Sequence, residues 1–435
     1  MKLLRVFFRI LKVLFILLLI VAGYLLAEPL WNHFVTYPTL EADREALWQQ
    51  YRKPQHPIPL PDYQGVLHAH CYWSHDSRGV LSEIVPAAKQ AQLDFLFFSD
   101  HKRAPLDTFP RAYHGTFDGL IVESGTESDG LMVTPLRPTV INWKQSLDTV
   151  IRSVVEPGGL VLYVHTEEPH DWGNPDYQAM EIYNIHTDLI DEKSGILPFV
   201  LNSMVNSGRF KHWGYRELYD EQTAILARWD SLNQHRRIVG MGAADAHNNQ
   251  SIRARYTKDG MVEWVGSNAK TMRIVKPGLL EKLLLGKPDA AGWAYKAELD
   301  TYFHSFNFIN THIFCDTLSS RALKNGLVKG HAYISFENLA KAKGFGFYST
   351  DARSQLNAIM GDSVKATSVS RLKAVSPYPV TFELFRNGKQ IDRKENAYDY
   401  AYSKPVTAGN YRLVARVHLG DKWVPWVYTN PIYVY

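Results

Sequence analysis

A chain of 435 residues is too long for one small domain, and its 46% apolar and 13% aromatic content supplies a large core and excludes global disorder. Four of the 48 basic residues (Lys2, Arg5, Arg9 and Lys12) make up the net charge of +4; the other 44 balance 44 acidic ones, so no bulk positive field argues for nucleic-acid binding. Two cysteines, Cys71 and Cys315, exclude a disulfide framework.

Residues 1–31 read as a membrane segment. From Val6 to Ala27 the apolar run spans about 33 Å as a helix, enough to cross a bilayer. Arg9 and Lys12 lie near its N-terminal end, where long side chains snorkel to head groups. All flanking positive charge is N-terminal, which predicts a cytoplasmic N-terminus and an exported remainder. Trp31 is the expected interfacial anchor. A cleaved signal peptide competes with an uncleaved anchor, but the apolar run continues through Leu26, past the small residues Val21 and Gly23. Residues 32–61 read as a spacer, weakly helical from Leu40 to Tyr51 and then proline-rich.

The next stretch organises the chain. Gly65–His70 reads as a strand ending in His68 and His70, two residues apart and so aimed at one face. Leu81, Ile84, Ala88 and Ala91 recur at helical spacing, with Ser82 the predicted N-cap. A buried apolar run then ends in Asp100 and His101. Further apolar runs end at Glu127 and His165; residues 179–184 form another, and a last one ends in the i, i+2 pair Asp245 and His247. Helices are predicted over 142–156, 188–205, 215–233 and 279–286, and a strand over 271–275. Alternation of this kind predicts an α/β domain, a barrel or a doubly wound sheet. Ligand-type residues at many strand ends favour the barrel, whose strand ends converge on one axis. From about Gly344 the runs are short and alternating, with turn signals such as Arg386–Asn387–Gly388. That pattern predicts an immunoglobulin-like β-sandwich of about six or seven strands.

Imidazole mixed with carboxylate suits Zn, Mn or Fe better than Ca or Mg. Eleven of the 17 histidines fall between His68 and His247. Seven or eight ligand-type residues exceed one tetrahedral ion, so two or three divalent ions sharing Glu127 or a bridging water are expected. A closed structural metal site in a membrane-tethered binding module is the competing reading. Cys71, beside His70, is expected to point away from the ions.

His68–Ala69–His70, Ser74–His75–Asp76, Ser99–Asp100–His101, Gly125–Thr126–Glu127, His165 and Ala244–Asp245–Ala246–His247 resemble the successive motifs of the PHP (polymerase and histidinol phosphatase) superfamily over residues 63–275. The closing residues 423–435 are similar to the ends of exported CehA/McbA-like members. The resemblance implies a distorted (β/α)7, TIM-like PHP barrel over 62–340, with the β-sandwich over 341–435 and the transmembrane signal anchor over 1–31. It implies metal-dependent phosphoester hydrolysis, with a carbon-ester or carbamate hydrolase as the alternative. By motif, His68, His70, Glu127 and Asp245 would hold one ion; His165 would share Glu127 for a second. Asp76 or His75, with His101 and His247, would hold a third. The second site's other histidine has only His170 and His186 as candidates. Asp245 and Asp100 are expected in catalytic roles, Asp100 either orienting a ligand or binding metal itself. Lys102 and Arg103 would bind the phosphoester or form a solvated loop pair; Arg253 and Arg255 are weaker candidates. Asn184 and Asn248 are possible hydrogen-bond donors. The expected substrate is an envelope lipid or sugar phosphate, met on the periplasmic side of the inner membrane, with no nucleic acid as partner.

Overall fold

The computed structural model describes residues 2–103, 111–137, 139–185, 196–217 and 219–435. It is a mixed α/β protein with one large sheet, a separate four-stranded sheet and a long N-terminal apolar helix.

That helix, Lys2–Trp31, does not end at the apolar boundary. It passes through a π turn, Asn32–Thr36, into the helix Tyr37–Gln49. Pro29 removes one backbone donor just before the π turn, a usual setting for such a bulge. The expected spacer is therefore a packed strut over much of its length. Tyr37 is buried and its hydroxyl accepts from Asn202 Nδ2 at 2.5 Å. Arg44 donates to the Asn338 carbonyl at 2.9 Å, and Trp48 Nε1 to that of Leu339 at 2.9 Å. Glu41 Oε2 accepts from Trp213 Nε1 at 2.8 Å. Tyr37 and Leu47 are buried in the main core, but most of the helix's other contacts are polar, so its hydrophobic pattern is weak.

Ten strands build the first part of the large sheet: β1 (Asp62–Ala69), β2 (Phe95–Phe97), β3 (Asp100–His101), β4 (Gly115–Phe117), β5 (Leu120–Glu123), β6 (Thr126–Ser128), β7 (Leu131–Thr134), β8 (Leu160–Tyr163), β9 (Ala179–Asn184) and β10 (Val239–Ala246). β1 lies parallel between β2 and β10. From β10 the pairings run parallel to β9 and β8, then antiparallel to β7 and β6. β6 pairs parallel with β3, and β5 with β2. Backbone bonds bridge the interruption between β2 and β3: Phe98 N–H donates to Glu123 and Ser99 N–H to Ala69, both at 2.8 Å. The pairings thus form a circuit that returns to β1. Gly125 lies at the matching interruption, where a Cβ would stand 2.6 Å from the Phe98 carbonyl oxygen. Only glycine allows the two backbones so close.

Two predicted helices differ in detail. The helix Leu81–Gln90 follows Val80, with no side-chain cap, and Ser82 instead donates to the Ala290 carbonyl at 3.2 Å. Residues 196–232 carry three helices, Ile196–Val205, Lys211–Glu217 and Thr223–Leu232; positions 188–195 of the predicted first helix lie outside the described residues.

After β10 the chain forms the small sheet, β11 (Ser251–Tyr256), β12 (Val262–Val265), β13 (Thr271–Val275) and β14 (Tyr295–Glu298), in the order β13-β12-β11-β14. β15 (Asn310–Phe314) then returns antiparallel to the start of β1, and β16 (Ala332–Ser335) pairs with both β15 and the segment Lys422–Thr429. Backbone pairing therefore runs without a break past residue 340. The long strands Arg371–Arg386 and Lys389–Ala401 are joined at Asn387–Gly388, whose φ values of 50° and 79° are those of the expected tight hairpin turn.

Candidate metal centre

Because β1, β2/β3, β8, β9 and β10 run parallel, their carboxyl ends emerge on one side. The residues there do not sit on regular backbone. His68, His165 and Asp245 have φ of 67°, 49° and 43°, in the left-handed region that costs a branched or bulky residue energy. The β1–β10 register shifts between Leu67 and Ala69, at His68. Simple alternation is thus broken where it was invoked, yet His68 and His70 still converge, their ring centroids 5.2 Å apart.

Four side chains meet most tightly. His68 Nε2 lies 3.0 Å from Glu127 Oε2 and 3.1 Å from Asp245 Oδ1. His70 Nε2 lies 3.2 and 3.3 Å from the same two oxygens. Donors about 2.1 Å from a tetrahedral ion are about 3.4 Å apart, so this quartet fits one ion with small adjustment. Glu127 offers its other oxygen, Oε1, to His165 Nε2 at 3.1 Å, and Asp245 Oδ2 stands 3.8 Å from that nitrogen. Asp76 Oδ2 lies 3.2 Å from His247 Nε2 and 3.4 Å from His101 Nε2. Three overlapping donor groups result: His68, His70 and Glu127; His68, His165 and Asp245; and His70, Asp76, His101 and His247. His75 is outside these groups, its ring tilted against His101 with centroids 5.0 Å apart.

Electrostatics describe a site that attracts cations. Burial pulls the His68 imidazole down, but the Asp245, Glu181 and Glu127 carboxylates outweigh it and hold the group well above its usual range. His165, similarly opposed by burial, is raised to about 11 by Glu127 and Glu167, and His247 to about 9 by Asp245 and Asp76. Burial works against ionising Glu127 and Asp245, yet the surrounding imidazoles hold both carboxyls well below the carboxylate range. Without a metal these groups are imidazolium–carboxylate pairs. A divalent ion would replace the shared protons, as it does wherever His and carboxylate ligands bind metal.

Glu181 was missed in the sequence. It sits within β9, in a run otherwise apolar except for Asn184, and is 1% exposed. Its Oε1 accepts from His68 Nδ1 at 2.5 Å, while Oε2 accepts from the His165 N–H at 2.8 Å and Asn184 Nδ2 at 3.0 Å. An acceptor-only carboxylate fixes the proton on Nδ1, leaving Nε2 to face the centre. A lone acid inside a buried strand was the available signal. Ser74 is a second unforeseen contributor, donating to Asp76 Oδ1 at 2.7 Å and accepting from the His101 N–H at 3.2 Å.

Asp100 takes a different position from the catalytic one expected. It is fully buried, and its carboxylate accepts from the Cys71 N–H at 2.8 Å and the Cys71 thiol at 3.0 Å. It is absent from all three donor groups. Cys71 itself is turned onto Asp100, away from the donor groups. Lys102 lies over the Trp143 ring, 5.1 Å from its centroid. Arg103 is exposed and donates to the Ser74 and Tyr72 carbonyls. Arg253 is no phosphate ligand at the surface: it is fully buried, donates to the Asn248 carbonyl at 2.7 Å and stacks over Trp293. Arg255 pairs with Glu263 at 2.7 Å. His170 is stacked on Tyr163, with Nε2 3.1 Å from the His165 carbonyl, and His186 lies outside the described residues.

No protein-family model matches the chain, and no curated protein matches it significantly. Among solved structures, it resembles a two-domain protein from Bacteroides vulgatus described as containing a predicted PHP-like metal-dependent phosphoesterase. The match covers 88% of this chain and 99% of that one, with 9% identity and a TM-score of 0.38, too distant to carry a functional assignment.

Proposed function

We propose that the chain is a membrane-anchored, metal-dependent hydrolase of the PHP type, acting on phosphoesters. The observation that carries this reading is the quartet of His68, His70, Glu127 and Asp245, whose donor atoms approach one another to 3.0–3.3 Å from three separate strand ends. The circuit of strand pairings supports a barrel, with β7 antiparallel to both neighbours as its distortion, and the strand-rich C-terminal segment supports an appended β-sandwich.

In this reading His68, His70, Glu127 and Asp245 hold one ion, and Glu127 with His165 a second. Asp76, His101 and His247 hold a third. Bound divalent ions supply an activated water and neutralise phosphate charge. Glu181 keeps His68 in the tautomer that presents Nε2. Ser74 orients Asp76, and the Lys102 ammonium, resting on Trp143, meets the anionic substrate at the rim. Arg103 stiffens the Tyr72–Ser74 turn through its two carbonyl contacts. The apolar N-terminal helix anchors the protein, with its flanking lysines and arginines inside and the metal centre in the periplasm.

The test is metal analysis of the purified full chain, followed by an aryl phosphate and aryl carboxyl-ester panel with and without a chelator. Chelator-sensitive phosphate release is expected. Turnover of aryl esters or carbamates alone would transfer the protein to carbon-ester hydrolases. A saturated metal with no turnover of either would leave a binding module.

A further inference from the structure

One surface of the small-sheet region breaks with the polar exterior. The edge strand β13 exposes Met272 and Ile274, and the helix Leu279–Leu284 exposes Leu279, Leu280, Leu283 and Leu284. Leu279 and Leu283, one helical turn apart on one face, are 78% and 75% exposed. Single exposed leucines are ordinary; four on one short helix form a patch, with Met272 and Ile274 exposed on the adjoining edge strand. Around it Lys270, Arg273, Lys276, Lys282 and Lys287 are all exposed. The acids are mostly turned inward or paired: Glu281 accepts from the Gly278 N–H, Glu263 from Thr271 and Arg255, and Asp289 pairs with Lys296. Asp259 is exposed at the β11–β12 turn.

Leucines ringed by lysines are the composition of a helix lying in a lipid interface, and the basic ring complements anionic head groups. A second copy would bring two such rings together, which like-charge repulsion opposes. The contacts that lead from the apolar helix to the small sheet arrive at β14, the edge opposite β13. Asn206 donates to the Pro29 carbonyl at 3.3 Å at the end of the apolar helix. Five residues on, Lys211 Nζ donates to the Glu298 carbonyl of β14 at 2.7 Å. At the same end of the sheet, where Ser251 pairs with Glu298, Asn249 Nδ2 donates to the Asp76 carbonyl at 3.0 Å.

We infer that the tip formed by β13 and the helix Leu279–Leu284 seats in the anionic head-group layer of the bilayer holding the N-terminal helix, so that the centre acts on a lipid-borne phosphoester. The docking stands alone; the substrate class rests on the hydrolase reading.

The experiment uses full-length protein carrying Leu283→Cys, labelled with an environment-sensitive fluorophore; the native Cys71 and Cys315 are buried. It is reconstituted into mixed phosphatidylcholine–phosphatidylglycerol vesicles containing bromolipid. A blue shift and bromolipid quenching are expected, with neither at a Lys365→Cys label. An unquenched label at position 283, or disulfide cross-linking of two unlabelled Leu283→Cys copies through that position, would overturn the docking. In a Leu279→Ser/Leu283→Ser variant, hydrolysis of vesicle phospholipid should fall about tenfold or more, while turnover of a soluble aryl phosphate stays within about twofold. Equal effects on both substrates would overturn the lipid assignment. With no turnover of either by the parent protein, the hydrolase reading and the lipid substrate both fall, and quenching alone decides the docking.

Discussion

Replacing Glu181 with Gln preserves shape and removes one negative charge from beneath the quartet. The wild-type carboxylate accepts on both oxygens, from His68 Nδ1 on one and from the His165 N–H and Asn184 Nδ2 on the other. A glutamine has one acceptor. Its carbonyl is claimed by the fixed His165 backbone N–H, beside the Asn184 amide, so its NH2 faces His68. His68 Nδ1 must then accept, and its proton moves to Nε2, the atom that lies 3.0 Å from Glu127 and 3.1 Å from Asp245. A ligand in the wrong tautomer has to be reprotonated before it can bind. Outer-shell changes of this kind cost about 10- to 100-fold in metal affinity, or about 1.4–2.7 kcal/mol. Competition titration of metal-free Glu181→Gln against a chromophoric chelator measures this directly. Affinity within about twofold of wild type would refute the assignment of Glu181 as the group that fixes His68.

Four other outcomes are expected. Asp245→Asn, chosen because asparagine tolerates the positive φ, should lower chelator-sensitive turnover by about 100-fold or more with an unchanged circular dichroism spectrum. Metal uptake should release protons and tighten as pH rises, because His247 and His165, raised to about 9 and about 11, hold protons in the metal-free centre; calorimetry in buffers of different ionisation enthalpy counts them. Asp100→Asn should retain turnover within about tenfold, since Asp100 lies outside the three donor groups and its carboxylate accepts from Cys71; a larger loss in steady-state kinetics would restore a role in the chemistry. His312→Leu should destabilise the fold by about 3–5 kcal/mol, leaving Asp62 and Glu337 buried without their shared imidazole. The His312 pKa is raised to about 9, burial being outweighed by the two acids, so its contribution is full below about 6.5 and lost as pH rises through about 9. Denaturant melts of both proteins across that range should show the gap closing; Tyr333, Lys341, His56 and Tyr378 also face the network.

The donors were legible because strand ends collect polar residues that an apolar run cannot hold. His68, His70, Glu127, His165, Asp245 and His247 each stand at such an end, and the structure brings them together. Asp76 and His101 join them through the turn after β1 and the interrupted β2/β3 strand. What the sequence hid has a different physical basis in each case. Glu181 is embedded in a strand rather than at its end, so its environment is set by neighbours distant in sequence. Asp100 looked like a ligand by its place beside His101, but adjacent strand residues face opposite ways, and this one meets Cys71. The helix Tyr37–Gln49 docks through polar contacts to carbonyls and an indole as well as through Tyr37, Leu40 and Leu47, so it leaves only a weak periodic trace. Backbone strain at His68 and Asp245 depends on the whole sheet, and no local residue type announces it.

The unbroken passage from Lys2 to Gln49 has a mechanical consequence. A chain tethered by a loose leash sweeps a hemisphere above its membrane; one carried on a stiff post, bolted to the head by Glu41, Arg44 and Trp48, keeps a set height and tilt. Under the anchoring proposed above, such a post holds the donor groups at one distance from the bilayer surface. Inserting glycines into the π turn would loosen the post without touching a single metal donor.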